Sequence, residues 1–431
     1  MPSSSVVPEA AIAAARLLAR ICVAALVVLS IPSAAAADAP LSFAESLRIA
    51  VIESPQLESQ RAMVDAAREM AGPAGELPDP KLKLGVENVP TNGPDGWSLT
   101  RDFMTMTKIG VMQEFPREEK RRLRSLRAEN DAQRGTAALE SARLAVMRET
   151  AAAWLARWFA AQSERLIARQ IDEAALAVTT AEAAYRAGKG SQVELLNAQG
   201  NAIELRNRAI EAAAQSKRAR TGLARFIGAE AARPLGSPPD VTRLPFDATE
   251  LADIDVQPDV RLAVAREATA VTEADLARAA KKPDWSAELT YAVRGAPYSN
   301  MVSLMVSIDL PWSPGTRQDR EHAAKLKELD AARAMREDTR RMRVAEVDTM
   351  LTEWETARAM ARRIEEDLIP LATQRLDAVL ASYRGGTGAL SPVLEARRSE
   401  LDARLALLQQ EQAVAKAWAW LQFVRPMKEG S

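Results

Sequence analysis

Two stretches of this chain read almost alike: AYRAGKGSQVELLNAQ at residues 184–199 and SYRGGTGALSPVLEAR at residues 382–397. Each runs Tyr-Arg-x-Gly-x-Gly, then a short polar stretch, then a leucine and an alanine that open a new helix. Tyr185 and Tyr383 stand 198 positions apart, a spacing that points to an internal repeat. Gly188 or Gly386 supplies the left-handed conformation that ends a helix. Ser191 and Ser391 are the expected caps of the helices that follow, with Glu194 or Pro392 in the first turn. Each stretch therefore reads as the tip of a helical hairpin.

Working outward, both halves show the same order of parts. Each begins with a helical segment, residues 41–71 and 249–282, followed by Pro-Asp (Pro78-Asp79, Pro283-Asp284). Two alternating runs come next, closed by Pro116 or Pro311, then a basic helix start at residues 117–122 or 317–320. A very long helical stretch leads to the glycine turn, and a last helix ends near Ile227 or Val424. The first repeat is read as residues 38–235 and the second as 249–431, with a Gly-Ser-Pro-Pro-Asp linker in 236–248. From Glu118 to Ala187 there is no proline and only one glycine, Gly135. Leu139, Val146, Ala153, Ala160, Ile167, Ala174 and Ala181 recur at seven-residue spacing, the mark of a supercoiled seam. Roughly seventy residues make a rod of about 100 Å. In each half the two shorter helices together match the rod's length, so one unbroken rod flanked by two helices stacked end to end is expected.

The alternating runs are expected as strands at about 80–90, 104–115, 284–294 and 301–311. Leu82, Leu84 and Val86 alternate with Lys81, Lys83 and Glu87; Ile109, Val111 and Phe115 with Lys108, Gly110 and Glu114. In the second half Trp285, Leu289, Tyr291 and Val293 alternate with polar residues, as do Val302, Leu304, Val306 and Ile308. One apolar and one polar face, over a length that crosses lipid at a tilt, is the pattern of an outer-membrane barrel. Trp97, Phe103, Trp285, Tyr298 and Trp312 cluster near the strand ends, where interfacial aromatics belong. A soluble hairpin half-buried on a helical domain fits the alternation equally well. Four strands fall short of the roughly eight that close a barrel, so a membrane reading requires several chains to share one. Three chains would supply twelve strands above a hollow barrel of helices.

Composition narrows the function classes. The 57 basic and 58 acidic side chains nearly balance, which argues against a nucleic-acid binder. One cysteine, Cys22, and one histidine, His322, nearly exclude a Cys/His metal cage, a Ser-His-Asp triad and a disulfide scaffold. No enzyme, cofactor or resident metal is expected. Met104, Met106 and Met112 near one strand invite a soft-metal reading, but methionine at such spacing is more often packing filler. At the N-terminus, Arg16 and Arg20 precede an apolar run at 21–31 and small residues at 33–37, the layout of a cleavable signal peptide over residues 1–37. The residues before Cys22 do not form a lipoprotein box, so no lipid anchor is expected.

With the doubled hairpin-plus-rod order and the twin turns Tyr185-Gly188…Leu196-Ala198 and Tyr383-Gly386…Leu394-Ala396, the chain resembles the TolC-like outer-membrane efflux proteins over the whole mature length. The resemblance implies a mainly α fold with a small β part: a homotrimeric channel-tunnel in the outer membrane of a Gram-negative bacterium, extending into the periplasm. Four strands per chain would enter a shared 12-stranded barrel, and a periplasmic adaptor would join the channel to an inner-membrane RND pump. Asp79-Pro80-Lys81-Leu82 and the tract from Phe103 to Arg121 look like the heavy-metal cation branch. Efflux of drugs or other organic compounds and type I protein secretion share the architecture, and a periplasmic coiled-coil scaffold without a pore is the reading from another class.

The resemblance also implies the site. Tyr383 and Glu395 match the tyrosine and second acid of the family's periplasmic aperture, whereas Pro392 occupies the first acidic position. Glu395 equally suits the first turn of a helix as a solvated side chain. The turns themselves, Tyr185, Gly188, Lys189 and Gly190 in the first half and Gly386, Thr387 and Gly388 in the second, are expected to receive the adaptor.

Overall fold

The computed structural model describes residues 39–244 and 246–426. The expected signal peptide, with Cys22, lies outside the described residues. The first half opens with α1 (Phe43–Glu53) and α2 (Pro55–Ala71). Between them Ser54 ends one helix and caps the next, accepting the Leu57 amide at 3.3 Å, and Pro55 takes the first helical position where its missing N–H costs nothing. Strands β1 (Lys81–Glu87) and β2 (Met106–Phe115) lead into α3 (Glu118–Arg186), a single helix of 69 residues, and the return helix α4 (Gln192–Ile227).

After the connecting segment and a short α5 (Ala248–Ala252), the second half repeats the plan. It contains α6 (Pro258–Ala279), β3 (Trp285–Arg294), β4 (Met301–Ile308), α7 (Gln318–Arg363), α8 (Ile369–Arg384) and α9 (Leu390–Gln422). In each half the shorter helices lie along the rod: α1, α2 and α4 on α3, and α6 and α9 on the α7–α8 rod. The halves interlock, because α6 and α9 also pack on α3. Val146, Ala160, Ile167, Ala174 and Ala181 of the seven-residue seam are buried, and Leu139 and Ala153 half-buried. Small side chains at these positions let the helix backbones approach closely, which is why so alanine-rich a face holds together.

The main core lies where the halves meet. Trp154 of α3 is fully buried beside Leu155, Leu223, Ile227 and Leu421, and the Phe43 ring meets it edge-on at 5.6 Å. Two more indoles fasten the connecting segment: Trp354 Nε1 donates to the Val241 carbonyl at 3.1 Å and Trp418 Nε1 to the Arg243 carbonyl at 2.8 Å. At its start the segment is held by a parallel bridge between Leu41 and Leu235.

The second rod is not one unbroken α-helix. A π turn, Ile364–Leu368, separates α7 from α8. Pro370 follows after Ile369; it has no N–H to donate, and in a continuous helix its ring would collide with the carbonyl four residues back. The wider turn accommodates one extra residue and relieves that conflict.

The four strands form one antiparallel sheet in the order β1-β2-β3-β4. Its register aligns the apolar residues across every strand: Leu82, Val111, Leu289 and Leu304 in one row, and Leu84, Ile109, Tyr291 and Val302 in the next. Phe115, Trp285 and Ile308 form the row nearest the helices, with the Phe115 and Trp285 rings stacked at 4.2 Å. Below it, Asp284 joins sheet to rod. Its carboxylate receives Lys120 Nζ at 2.9 Å and the Arg117 amide at 3.0 Å, while Lys120 also donates to the Lys282 carbonyl at 2.6 Å. Burial opposes ionisation of Asp284, but Lys120 and the Arg117 amide outweigh it and hold the carboxyl below the usual range.

Candidate functional site

The two glycine turns have the same geometry. Gly188 and Gly386 adopt φ of 71° and 74°, a region where a side chain is strained. The amides of Lys189 and Gly190 reach back to the Ala184 carbonyl, and those of Thr387 and Gly388 to the Ser382 carbonyl, all at 2.9–3.1 Å. A methyl at Gly190 or Gly388 would stand 3.1 Å from Ala184 or Ser382, so the second glycine of each motif is set by close backbone approach. Lys189 and Thr387 are exposed at the two tips.

Capping divides the halves. Ser191 and Glu194 form a reciprocal capping box at the start of α4, as the sequence suggests. Helix α9 instead starts with Ala389 as its cap, and Ser391 lies inside the first turn. The repeat spacing explains the shift: Ala389, not Ser391, corresponds to Ser191, and Pro392 corresponds to Glu194. The second half thus lacks both capping side chains, and Glu194 substitutes for them. Its Oε1 accepts the Leu390 amide at 3.0 Å while Oε2 accepts the Ser191 amide at 3.1 Å. The Leu390 and Ser191 amides hold the Glu194 carboxyl below its ordinary range.

Further contacts tie the hairpins together. Asn197 Nδ2 donates to Ser391 Oγ at 3.2 Å, Arg208 pairs with Asp402 at 2.7 Å, Arg398 with Glu204 at 2.8 Å, and Arg397 with Glu173. Between them is a small core of Ala181, Ala198, Leu390, Val393 and Leu394. Tyr383 packs against this core, whereas its counterpart Tyr185 is 45% exposed. Glu395 is exposed on α9 between buried Leu394 and Ala396, so its side chain leaves the face that Tyr383 joins. Among the described residues no hydrogen bond or ion pair links Glu395 to Tyr383. Sequence reading missed Glu194, Asn197, Arg208 and Asp402 as inter-hairpin contacts; the absent caps at Ala389 and Pro392 are the signal that a donor-satisfying group must come from elsewhere.

At the other end, the sheet separates its chemistry by face. The apolar rows are exposed, with Leu84 at 71% and Leu304 at 72%. The opposite face carries Lys81–Glu114 and Lys83–Glu288 pairs, each at 2.5 Å, and a Lys108–Glu87 pair. Met106, Met112, Met301 and Met305 share that polar face by register. Among the described residues the outer edges of β1 and β4 have no pairing partner, no helix is long and apolar enough to cross a membrane, and no His, Cys, Asp and Glu side chains gather into a metal-holding group.

Duplicated rods, a four-stranded sheet apolar on one face and paired glycine tips define a channel-tunnel protein rather than an enzyme. The family model described as "Outer membrane efflux protein" matches residues 47–229 and 254–424, and the chain belongs to that family. Its members are the outer-membrane channels of tripartite efflux systems. Among solved structures, a membrane protein from Pseudomonas aeruginosa superposes with a TM-score of 0.77 at 17% identity, over 90% of this chain and 91% of the other. The outer membrane protein VceC from Vibrio cholerae gives 0.74 at 20% identity, over 89% and 95%. CusC, a transmembrane channel, gives 0.67 at 14% identity, over 90% and 94%. At these identities the likeness concerns the fold alone. No curated protein matches the chain.

Proposed function

We propose that three copies of this chain pool their strands into one twelve-stranded barrel in the outer membrane, continued into the periplasm by a barrel of helices, and passively conduct heavy-metal cations delivered by an inner-membrane RND pump through a periplasmic adaptor. The observation that carries this reading is the sheet: four strands with an exposed apolar face and two unpaired edges. An open edge in lipid strands backbone donors and acceptors at several kcal/mol each, and closure between copies removes the edges. Export with cleavage of residues 1–37 and no lipid anchor completes the proposed localisation.

The tip turns, Tyr185 and Gly188 to Gly190 with Gly386 to Gly388, are the proposed adaptor surface, because Tyr185, Gly188, Lys189, Gly386 and Thr387 are exposed there. Tyr383 and Glu395 are the proposed aperture residues, three copies of Glu395 concentrating negative charge where cations pass. The cation assignment rests on the resemblance of the tracts around residues 79–90 and 103–121 to the heavy-metal branch. The thioethers of Met106, Met112, Met301 and Met305 on the polar face agree with soft-ion traffic.

Mass measurement of the detergent-extracted protein, followed by conductance after insertion into liposomes, tests the architecture; a trimer with ohmic conductance is expected, and a non-conducting monomer refutes it. Metal-sensitivity profiling of a deletion strain tests the substrate. Sensitivity to organic compounds alone would transfer the channel to drug export. Crosslinkers at Lys189 and Thr387 should capture a periplasmic adaptor, and background capture alone would withdraw the docking role.

A further inference from the structure

The second rod carries a device that the first lacks. Beside its π turn, Ile364–Leu368, a cavity of about 360 Å³ opens between that turn, α3, α9 and the connecting segment. Glu411 of α9 is half-buried and lines it, and the exposed π-turn residues Glu365 and Glu366 line it as well. Two arginines of α7 border the same space. Arg358 lies over the Trp354 ring at 4.7 Å, and Arg362 is 3.9 Å from Glu366. Among the described residues neither pairs with Glu411, whose carboxylate has no hydrogen-bonding partner.

The remaining walls add no charge. Helix α3 contributes Leu155, Trp158 and Phe159, and the connecting segment contributes Pro238, Pro239 and Thr242. Asp240 next to them is occupied by Thr242, whose hydroxyl and amide donate at 2.6 Å and 2.9 Å. Burial, then the Glu365 carboxylate, pushes the Glu411 carboxyl above its ordinary range. In the first half Ala213 stands 198 positions before Glu411, and α3 runs without interruption past the level of the π turn.

We propose that the π turn is a hinge of the second hairpin, set by the charge on Glu411: ionised, it repels Glu365 across the cavity and holds α9 and the rod apart; protonated, it lets the cavity narrow and moves the tip carried by α8 relative to the first tip. The sign follows from the chemistry. A carboxyl whose neutral form the fold favours ionises against that preference as pH rises and relaxes on acidification. The hinge lies at the only π turn among the described residues, where the i to i−4 ladder is already interrupted, so bending there sacrifices little.

The test is a distance between the tips. Spin labels at Lys189→Cys and Thr387→Cys, in the full chain with Cys22→Ser, report it as pH is lowered from about 7.5 to about 4, a window that runs from neutrality down to the ordinary carboxylate value. The expected result is a tip-to-tip distribution that shifts on acidification. Glu411→Gln should hold the acid distribution at both ends of the range, and so should Glu365→Gln, because either substitution removes the repulsion. A distribution that ignores pH, or a Glu411→Gln protein that still shifts with the original midpoint, overturns the hinge. Because the readout is a distance, its failure would leave the conduction proposal untouched, and the reverse is equally true.

Discussion

Glu194 accepts the backbone amide of Leu390 at 3.0 Å, so a side chain of the first hairpin supplies the cap that the second lacks. One carboxylate thereby closes two helices. The tips are joined at backbone level and not only through long, solvated ion pairs, each of which adds little by itself.

Replacing Glu194 by alanine removes its bonds to the Leu390 and Ser191 amides, at about 1 kcal/mol each, while the Ser191 hydroxyl keeps its bond to the residue-194 amide. Amide hydrogen exchange at Leu390 and Ser191 should accelerate about 5- to 30-fold, while amides around Trp154 stay unchanged. The sign of the pH effect is fixed by the lowered Glu194 carboxyl: the stabilisation is present above the ordinary carboxylate range and lost as pH falls through the depressed value. Tip protection, taken relative to the intrinsic exchange rate at each pH, that falls on acidification in the native chain but not in Glu194→Ala would bear this out.

The joint between sheet and rod should be unequal in its two partners. Asp284→Ala leaves the Lys120 ammonium, at 9% side-chain exposure, without its carboxylate, a loss of about 3 kcal/mol. Lys120→Met should cost less, because Asp284 keeps the Arg117 amide and is more open to water. Since the Asp284 carboxyl is held low, its contribution is lost as pH falls through that low value, and Asp284→Asn should flatten the acid limb of the melting curve in detergent. Equal melting temperatures for the alanine and methionine variants would contradict this account.

On β4, neighbouring residues should respond in opposite ways. Leu304 belongs to the exposed apolar rows and Ser303 to the polar face. Leu304→Arg should cost about 2–4 kcal/mol on refolding into lipid vesicles, and Ser303→Arg close to nothing. Similar yields for the two variants would mean that the apolar face does not meet lipid.

For the aperture, Glu395→Ala should lower the ratio of cation to anion permeability in single-channel recordings without changing the melting temperature, since the side chain is exposed. An unchanged ratio and conductance would leave Glu395 as a solvated helical residue.

Most of the architecture was legible because its signals are local. The seven-residue seam, the alternating runs and the paired turns each repeat within a few residues, and the duplication states each message twice. What escaped depends on pairing between distant segments. Ser391 looked like a cap because serine favours that position, yet the repeat spacing assigns it to Ala389, and which side chain then serves Leu390 is fixed only by how the hairpins lie together. The unbroken second rod was expected without regard to Pro370, and a proline in any case announces a conflict and not its resolution; the π turn depends on what packs around it. The sheet's two faces were readable from alternation, whereas the pairing of Lys83 with Glu288 across the repeats required the register.

The halves are alike in plan and unlike in detail, with Tyr185 turned to water and Tyr383 tucked inward, Ser191 on one tip and Ala389 on the other. A threefold ring built from such a chain would offer six knuckles of two alternating kinds. Whatever grips its lower rim must therefore either bind in threes or tolerate two dissimilar sockets with one design.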